Sequence, residues 1–265
     1  MPKSLHRSPL RTLFILTALF ITPIAASFGT EHPGKNIHRG DMAYWAMNYP
    51  KADSIYTVEL QRNPSDAEIY WKLARLQVSL GEAVEQAKSE DRLKHYRKAT
   101  EYAKTCISLD STLAKGHSWF AVSLGITADK IGTKEKISRA NEIKRELDTA
   151  IRLNPNDETA LSMLGSYYRE AAKIGWFRRM MGNAFIGEVP KGNYDLAERA
   201  FRKAISIDSR IIRNYHELAL ICIDRGNKEE AVRLMKSALD KPVIMASDRK
   251  RLEEMQALIK KLSQE

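Results

Sequence analysis

The sequence predicts an all-α protein: a right-handed solenoid of helix pairs with enlarged intra-repeat turns. Three observations predict it. The polar–apolar stretches lack the alternating Val, Ile and Thr runs of strands, and only 13 of 265 residues are glycine. One helical phrase, with a small residue every three or four positions and a polar closing turn, recurs along the chain. The spacing inside the repeats is regular in the last one and stretched in the three before it.

Residues 1–27 read as a secretory signal peptide. Lys3, Arg7 and Arg11 precede the apolar run LFILTALFIT at residues 13–22, followed by Pro23 and small residues, with no acid before Glu31. A basic start, a short apolar run and a small-residue exit mark a cleaved leader, with cleavage near Ala26 or Ser27 and export to the periplasm or beyond. The alternative is an uncleaved membrane anchor, although the run is short of the ~20 residues of a span. Residues 28–41 then read as a linker, and 42–262 as the solenoid.

The recurring phrase stands at residues 99–111 (ATEYAKTCISLDS), 147–157 (LDTAIRLNPND), 197–209 (AERAFRKAISIDS) and 231–242 (AVRLMKSALDKP). The first three are followed by a second helical phrase, at 114–124, 159–168 and 213–222. An earlier pair, 53–66 then 67–76, follows the same order, and 42–62 reads as a degenerate first repeat. Asn-Pro at 63–64 and 154–155 stops one helix and sets the turn into the next. Residues 248–262 read as a capping helix.

Self-similarity of this kind marks a helix-pair solenoid, and the residues resemble the tetratricopeptide repeat. The helix A slots are Tyr70-Leu73-Ala74, His117-Phe120-Ala121-Leu124, Leu161-Leu164-Gly165-Tyr168 and Tyr215-Leu218-Ala219. The helix B slots are Ala99-Ala103-Cys106, Ile143-Leu147-Ala150-Pro155, Ala197-Phe201-Ala204 and Ala231-Met235-Ala238. Cys106 and Cys222 fall in the first and fourth full repeats, with two repeats between them, beyond the ~7 Å that a disulfide can bridge, and are expected as buried thiols.

From Ala219 to Ala231 the A-to-B spacing is 12 residues. From Ala74 to Ala99 it is 25, from Ala121 to Ile143 it is 22, and from Gly165 to Ala197 it is 32. All three insertions fall at the same turn, so they should stack along one edge as a ridge. The first two are charged and should lengthen helix B, with Glu82–Lys98 a solvated face. The third, residues 174–192, is too interrupted by glycine for one long helix and is expected as an accessory to the repeats. Its ridge candidates are Trp176, Phe177, Arg178, Arg179 and Phe185. They either cover their neighbours or form an aromatic, basic element that meets a membrane or partner.

The formal charge is +10. Three of those cations sit in the leader, and the rest are spread through mixed-sign helices, a surface that favours anionic membranes or acidic partners. No compact basic stripe accompanies them, so nucleic acid is not expected as a partner. Phosphate-binding, zinc-protease, hydrolase-elbow and dithiol motifs are absent from the sequence. No enzyme, cofactor or metal is expected. The concave groove should be lined by helix A through Trp71, Arg75, Trp119, Ser162, Ser166, Arg169, Arg213 and His216, where a protein or peptide partner would dock. A lipid-binding or membrane-contact module is the alternative.

The enlarged turns, the I-x-x-A-N-x-I-K phrase at Ile137–Lys144 and the W-F-x-R phrase at 176–179 together resemble the regulator of microtubule dynamics proteins, over about residues 70–241. That resemblance implies a non-enzymatic helical-repeat binding domain, in a family linked to microtubules, membrane contact sites and lipid. Microtubule binding is expected only of a chain that stays in the cytoplasm.

Overall fold

The computed structural model describes residues 33–181 and 193–264, and the side chains of all of these except 33–35 and 174–181. Among the described residues there are eleven α-helices and no strand. Ten form antiparallel pairs: α1 (Pro33–Trp45) with α2 (Tyr49–Arg62), α3 (Ala67–Ala83) with α4 (Ser89–Leu109), and α5 (Ala114–Ile131) with α6 (Thr133–Leu153). The series continues with α7 (Glu158–Met181) and α8 (Tyr194–Ile207), α9 (Ile212–Asp224) and α10 (Lys228–Leu239), then α11 (Asp248–Leu262). Each pair packs on the next, and α11 covers α9 and α10.

The repeat is visible in the backbone of the B-to-A turns. Helices α2, α4, α6 and α8 end at Asn63, Asp110, Asn154 and Asp208, with φ of −137°, −146°, −139° and −136°. At each, the cap N–H still donates to the carbonyl four residues back. At the last three, the side chain turns forward and accepts from the amide two residues on, at 2.8, 3.0 and 3.0 Å. Short Asx side chains do this readily, satisfying turn amides that a helix end leaves open.

Of the helix B slots only Pro155, in the closing turn, is exposed; Ala99, Ala103, Cys106, Leu147, Ala150, Ala197, Phe201, Ala204, Ala231, Met235 and Ala238 are at 0% exposure and Ile143 at 5%. Small residues let paired helices approach closely. At Gly165 a Cβ would stand 2.7 Å from the Phe201 ring, and at Gly40 it would stand 2.4 Å from that of Tyr56. The Gly40–Tyr56 contact shows that the first repeat is complete. It starts at Pro33, inside the stretch expected as a linker, and its α1 carries the helix A glycine.

The insertions lengthen both helices of a pair. Helices α3 and α5 have 17 and 18 residues and α4 and α6 have 21 each, against 13 and 12 for α9 and α10. The α5–α6 connection is the single residue Gly132, at φ +132°, a left-handed conformation open to glycine and strained for other residues. The first half of the third insertion also differs from expectation: residues 174–181 continue α7 without a break. Helical periodicity carries through Gly175, since one glycine costs only ~1 kcal/mol within a helix. Phe185 and the remainder of 182–192 lie outside the described residues.

The last repeat returns to the first. Ala246 packs against the apolar cluster of α1–α3, Ser247 Oγ donates to Glu82 Oε2 at 2.6 Å, and the Arg210 guanidinium lies 5.4 Å from the Trp45 ring centroid. Cys106 and Cys222 are free and buried, and burial pushes the Cys106 thiol up to about 12.

Candidate binding chamber

The concave face divides into a closed half and an open half. In the closed half the expected groove residues are engaged by neighbouring side chains. Arg75 is 6% exposed; its guanidinium lies 3.8 Å from the Tyr44 ring centroid and 5.1 Å from that of Trp71. Its Nη2 donates to Asp41 Oδ1 at 2.7 Å, beside Lys72 Nζ at 2.5 Å and Tyr56 Oη at 2.6 Å from the same carboxylate. Three helices, α1, α2 and α3, are tied at that one acid. Ser162 donates to Asn214 at 2.6 Å, and Asn214 donates to Glu158 at 3.0 Å, joining α7 to α9. Trp119 packs against the cluster of α3–α8. Arg75, Trp119 and Ser162 therefore build contacts between repeats, while Trp71 is half-buried beside Lys72 and Arg75 of its own helix.

The open half is a chamber of about 520 Å3 at the lengthened ends of the helices. Small-molecule pockets span ~300–1,000 Å3. One side is apolar, with Tyr96, Ile126, Ile137, Ala140, Ile143 and Met163. Ser166, Arg169 and Arg213, all expected in the groove, do line it; His216 stands beside it, its Nε2 3.8 Å from Glu254. The Glu82–Lys98 stretch, expected as a solvated face, contributes Glu82, Val84, Gln86, Arg92 and Tyr96 to the wall. The signal that could have revealed this is Gly81 paired with Tyr96: a Cβ at Gly81 would stand 2.4 Å from that ring, the same small-under-aromatic packing that marks the repeat core.

Charge in the chamber is uneven. Its lining holds seven cationic side chains, Arg92, Lys130, Lys136, Arg169, Arg213, Lys250 and Arg251, against five acids. Lys136 is matched by Asp129 at 2.8 Å, and Arg169 by Glu217 at 2.8 Å. Burial works to raise the Glu217 carboxyl, but Arg213, Arg169, His216 and Arg251 together hold it below the usual carboxylate range; burial lowers His216. Arg92 donates to the Gly81 carbonyl at 3.1 Å and to Tyr96 Oη at 3.2 Å, and Arg213 to Ser166 Oγ at 3.1 Å. Among the described residues neither guanidinium makes a direct ion pair, although the charge of Arg213 reaches Glu217. Arg169 is 8% exposed and its Nε has no hydrogen-bond partner among those residues.

Helix pairs, shared turn geometry and a concave chamber define a helical-repeat protein of the tetratricopeptide type. The crystal structure of a thermophilic tetratricopeptide protein from Thermus thermophilus superposes with a TM-score of 0.61, covering 85% of this chain and 99% of that one at 19% identity, a likeness of fold alone.

The family described as Regulator of microtubule dynamics protein 1-3 matches residues 36–263, and the chain belongs to it. Regulator of microtubule dynamics protein 1 of Pongo abelii is 28% identical over 201 residues, covering 75% of this chain and 64% of that protein. The Homo sapiens protein of that name is 28% identical over 180 residues, 68% of this chain and 57% of its own length. The Caenorhabditis elegans one is 25% identical over 207 residues, 77% and 90%. The chain thus spans less than two thirds of the two primate relatives.

Family membership overturns the exported location expected from residues 1–27. The relatives are named for regulating microtubule dynamics, and microtubules are cytoplasmic. Among the described residues no helix is long and apolar enough to cross a membrane. Neither export nor anchoring enters the functional reading; residues 1–32 lie outside the described residues.

Proposed function

We propose that the protein is a non-enzymatic helical-repeat scaffold whose chamber holds one anionic amphiphile, with its acidic head on the arginines and its apolar chain against α5, α6 and α7. The observation that carries this is the pairing of an apolar wall with an excess of cations over acids, in which Arg92 and Arg213 make hydrogen bonds to neutral groups and, among the described residues, no direct ion pair, although Glu217 lies close enough to Arg213 to feel its charge. A partly buried cation without a contacting counter-ion favours an anionic ligand over a neutral one. An extended peptide in the outer groove is less well supported, because Arg75, Ser162 and their neighbours are already bonded across repeats. With export set aside, microtubule binding is open to the chain. However, its outer helix faces carry locally paired charges, Glu135–Arg139 and Glu198–Arg202 among them, and a strongly one-signed surface would suit an acidic polymer better.

The test is native mass spectrometry of the full chain incubated with oleic acid or oleoyl lysophosphatidic acid. A one-to-one adduct is expected with at least one of them, and a weaker one with oleyl alcohol. No adduct with either acid, or equal retention of the alcohol, would overturn the reading.

A further inference from the structure

A linear solenoid leaves its concave face open along its length, so a contact between first and last repeats is what encloses a chamber. Here the segment between α10 and α11 makes that contact. Ala246, Ser247, Lys250, Arg251 and Glu254 all line the chamber.

The two ends of this strap are held by different physics. On the α11 side the attachment is apolar: Met255 is fully buried, and Leu252, Leu258 and Ile259 pack against the cluster of α9 and α10. The corner leading into the helix is stiffened by Asp248, 1% exposed, whose Oδ2 accepts from the amides of Ile244 at 3.2 Å and Met245 at 2.9 Å. On the α3 side the polar attachment is small. Ser247 Oγ donates to Glu82 Oε2 at 2.6 Å, Arg251 Nη1 donates to Ser247 Oγ at 2.5 Å, and the Arg251 guanidinium is 3.7 Å from Glu82. The Glu82 and Arg251 side chains retain 20% and 17% exposure. Ala246 adds one small apolar contact with the α1–α3 cluster; an alanine and water-reachable pairs are weak beside the four larger side chains packed on the α11 side, so the Glu82 end should part before the α11 end does.

We propose that residues 240–251 form a strap gating the chamber, with Glu82, Ser247 and Arg251 as its latch, so that ligand enters and leaves when the strap parts from α3. This rests on the reading that the chamber holds an anionic amphiphile. Stiffening by Asp248 makes the strap and the first turn of α11 move as one piece, and Arg251 and Lys250 travel with it. Opening therefore withdraws two cations from the ligand as it widens the exit.

The experiment follows release of a fluorescent fatty acid from the full-length protein to acceptor vesicles. Two variants are compared with the wild type: Glu82→Ala, and Glu82→Cys with Ser247→Cys joined by a short bis-maleimide. The native Cys106 and Cys222 are buried and should be spared by the reagent. Release should be at least about tenfold faster in Glu82→Ala and about tenfold slower in the linked protein, since such changes act mainly on dissociation. The unlinked double-cysteine protein, with its thermal melt, reports folding. Release from the linked protein at the unlinked rate would overturn the gate while leaving the chamber reading intact. Failure of the wild type to take up the probe would overturn both.

Discussion

Replacing Asp41 with alanine should destabilise the protein by about 3 kcal/mol, the largest effect expected of any single polar substitution here. The carboxylate joins α1 to Tyr56 on α2 and to Lys72 and Arg75 on α3. The two cations are 4% and 6% exposed. Removing their shared counter-ion leaves buried positive charge, and breaking a buried pair from one side costs ~3–5 kcal/mol. The lower end applies because the Asp41 side chain itself is 22% exposed and Lys72 keeps Glu68 at 3.2 Å. For a solenoid of this size the melting temperature should fall by ~6–12 °C.

The effect has a pH signature. Burial works to raise the Asp41 pKa, but hydrogen bonds from Lys72 and Tyr56 and the charges of Lys72 and Arg75 outweigh it and bring it below the ordinary 3.8. A carboxyl depressed on folding adds stability above its unfolded value and loses it as pH falls through the folded one. The gap between wild type and Asp41→Ala should hold from pH 7 to pH 5 and narrow below about pH 4. Calorimetric melts across that range check it; a change under about 1 kcal/mol at pH 7 would mean that the cluster does not tie the first repeat together.

Replacing Arg92 and Arg213 together with alanine should weaken binding of an acidic amphiphile by at least about a hundredfold. Hydrogen bonds to charged groups contribute ~1.5–3 kcal/mol each, and ~1.4 kcal/mol is tenfold in affinity. Both arginines face the chamber with only neutral hydrogen-bond partners, so their remaining bonding capacity is directed to a ligand. Fluorescence titration with a fatty acid and with the matching fatty alcohol separates this from damage to the fold. The double variant should lose the preference for the acid while its affinity for the alcohol stays near that of the wild type. Equal loss for both probes would show that the arginines only shape the wall.

Much of the fold was legible because it is written at short range. The alanine and aromatic slots of helix B recur at helical spacing, and Asn-Pro and Asp-Ser mark the turns, so Ala99, Leu147, Phe201 and Met235 could be placed in the core directly. The position of the insertions was legible by counting. Their consequence was not. Counting shows that residues are added at a turn, but not that α3 and α5 lengthen along with α4 and α6 and so turn a ridge into a chamber wall. Ser166, Arg169 and Arg213 were found because helix A periodicity aims them inward. Arg75 is not free as a groove residue because its partner, Asp41, lies on α1, in the stretch read as a linker. Glu82 and Arg251 were missed altogether: their contact closes the chain over a separation that leaves no periodic trace, and each alone looks like an ordinary solvated helix charge.

We propose that the lengthened helix ends enclose a site for an apolar chain. It is tested most directly with a fatty acid carrying a diazirine near its terminal methyl, photolysed on the full-length protein and mapped by peptide mass spectrometry. The claim predicts labels on Ile126, Ile137, Ala140, Ile143 and Met163, suppressed by excess unlabelled fatty acid. Labels confined to the outer faces of α4, α6, α8 and α10, or labelling that excess fatty acid does not suppress, would contradict it.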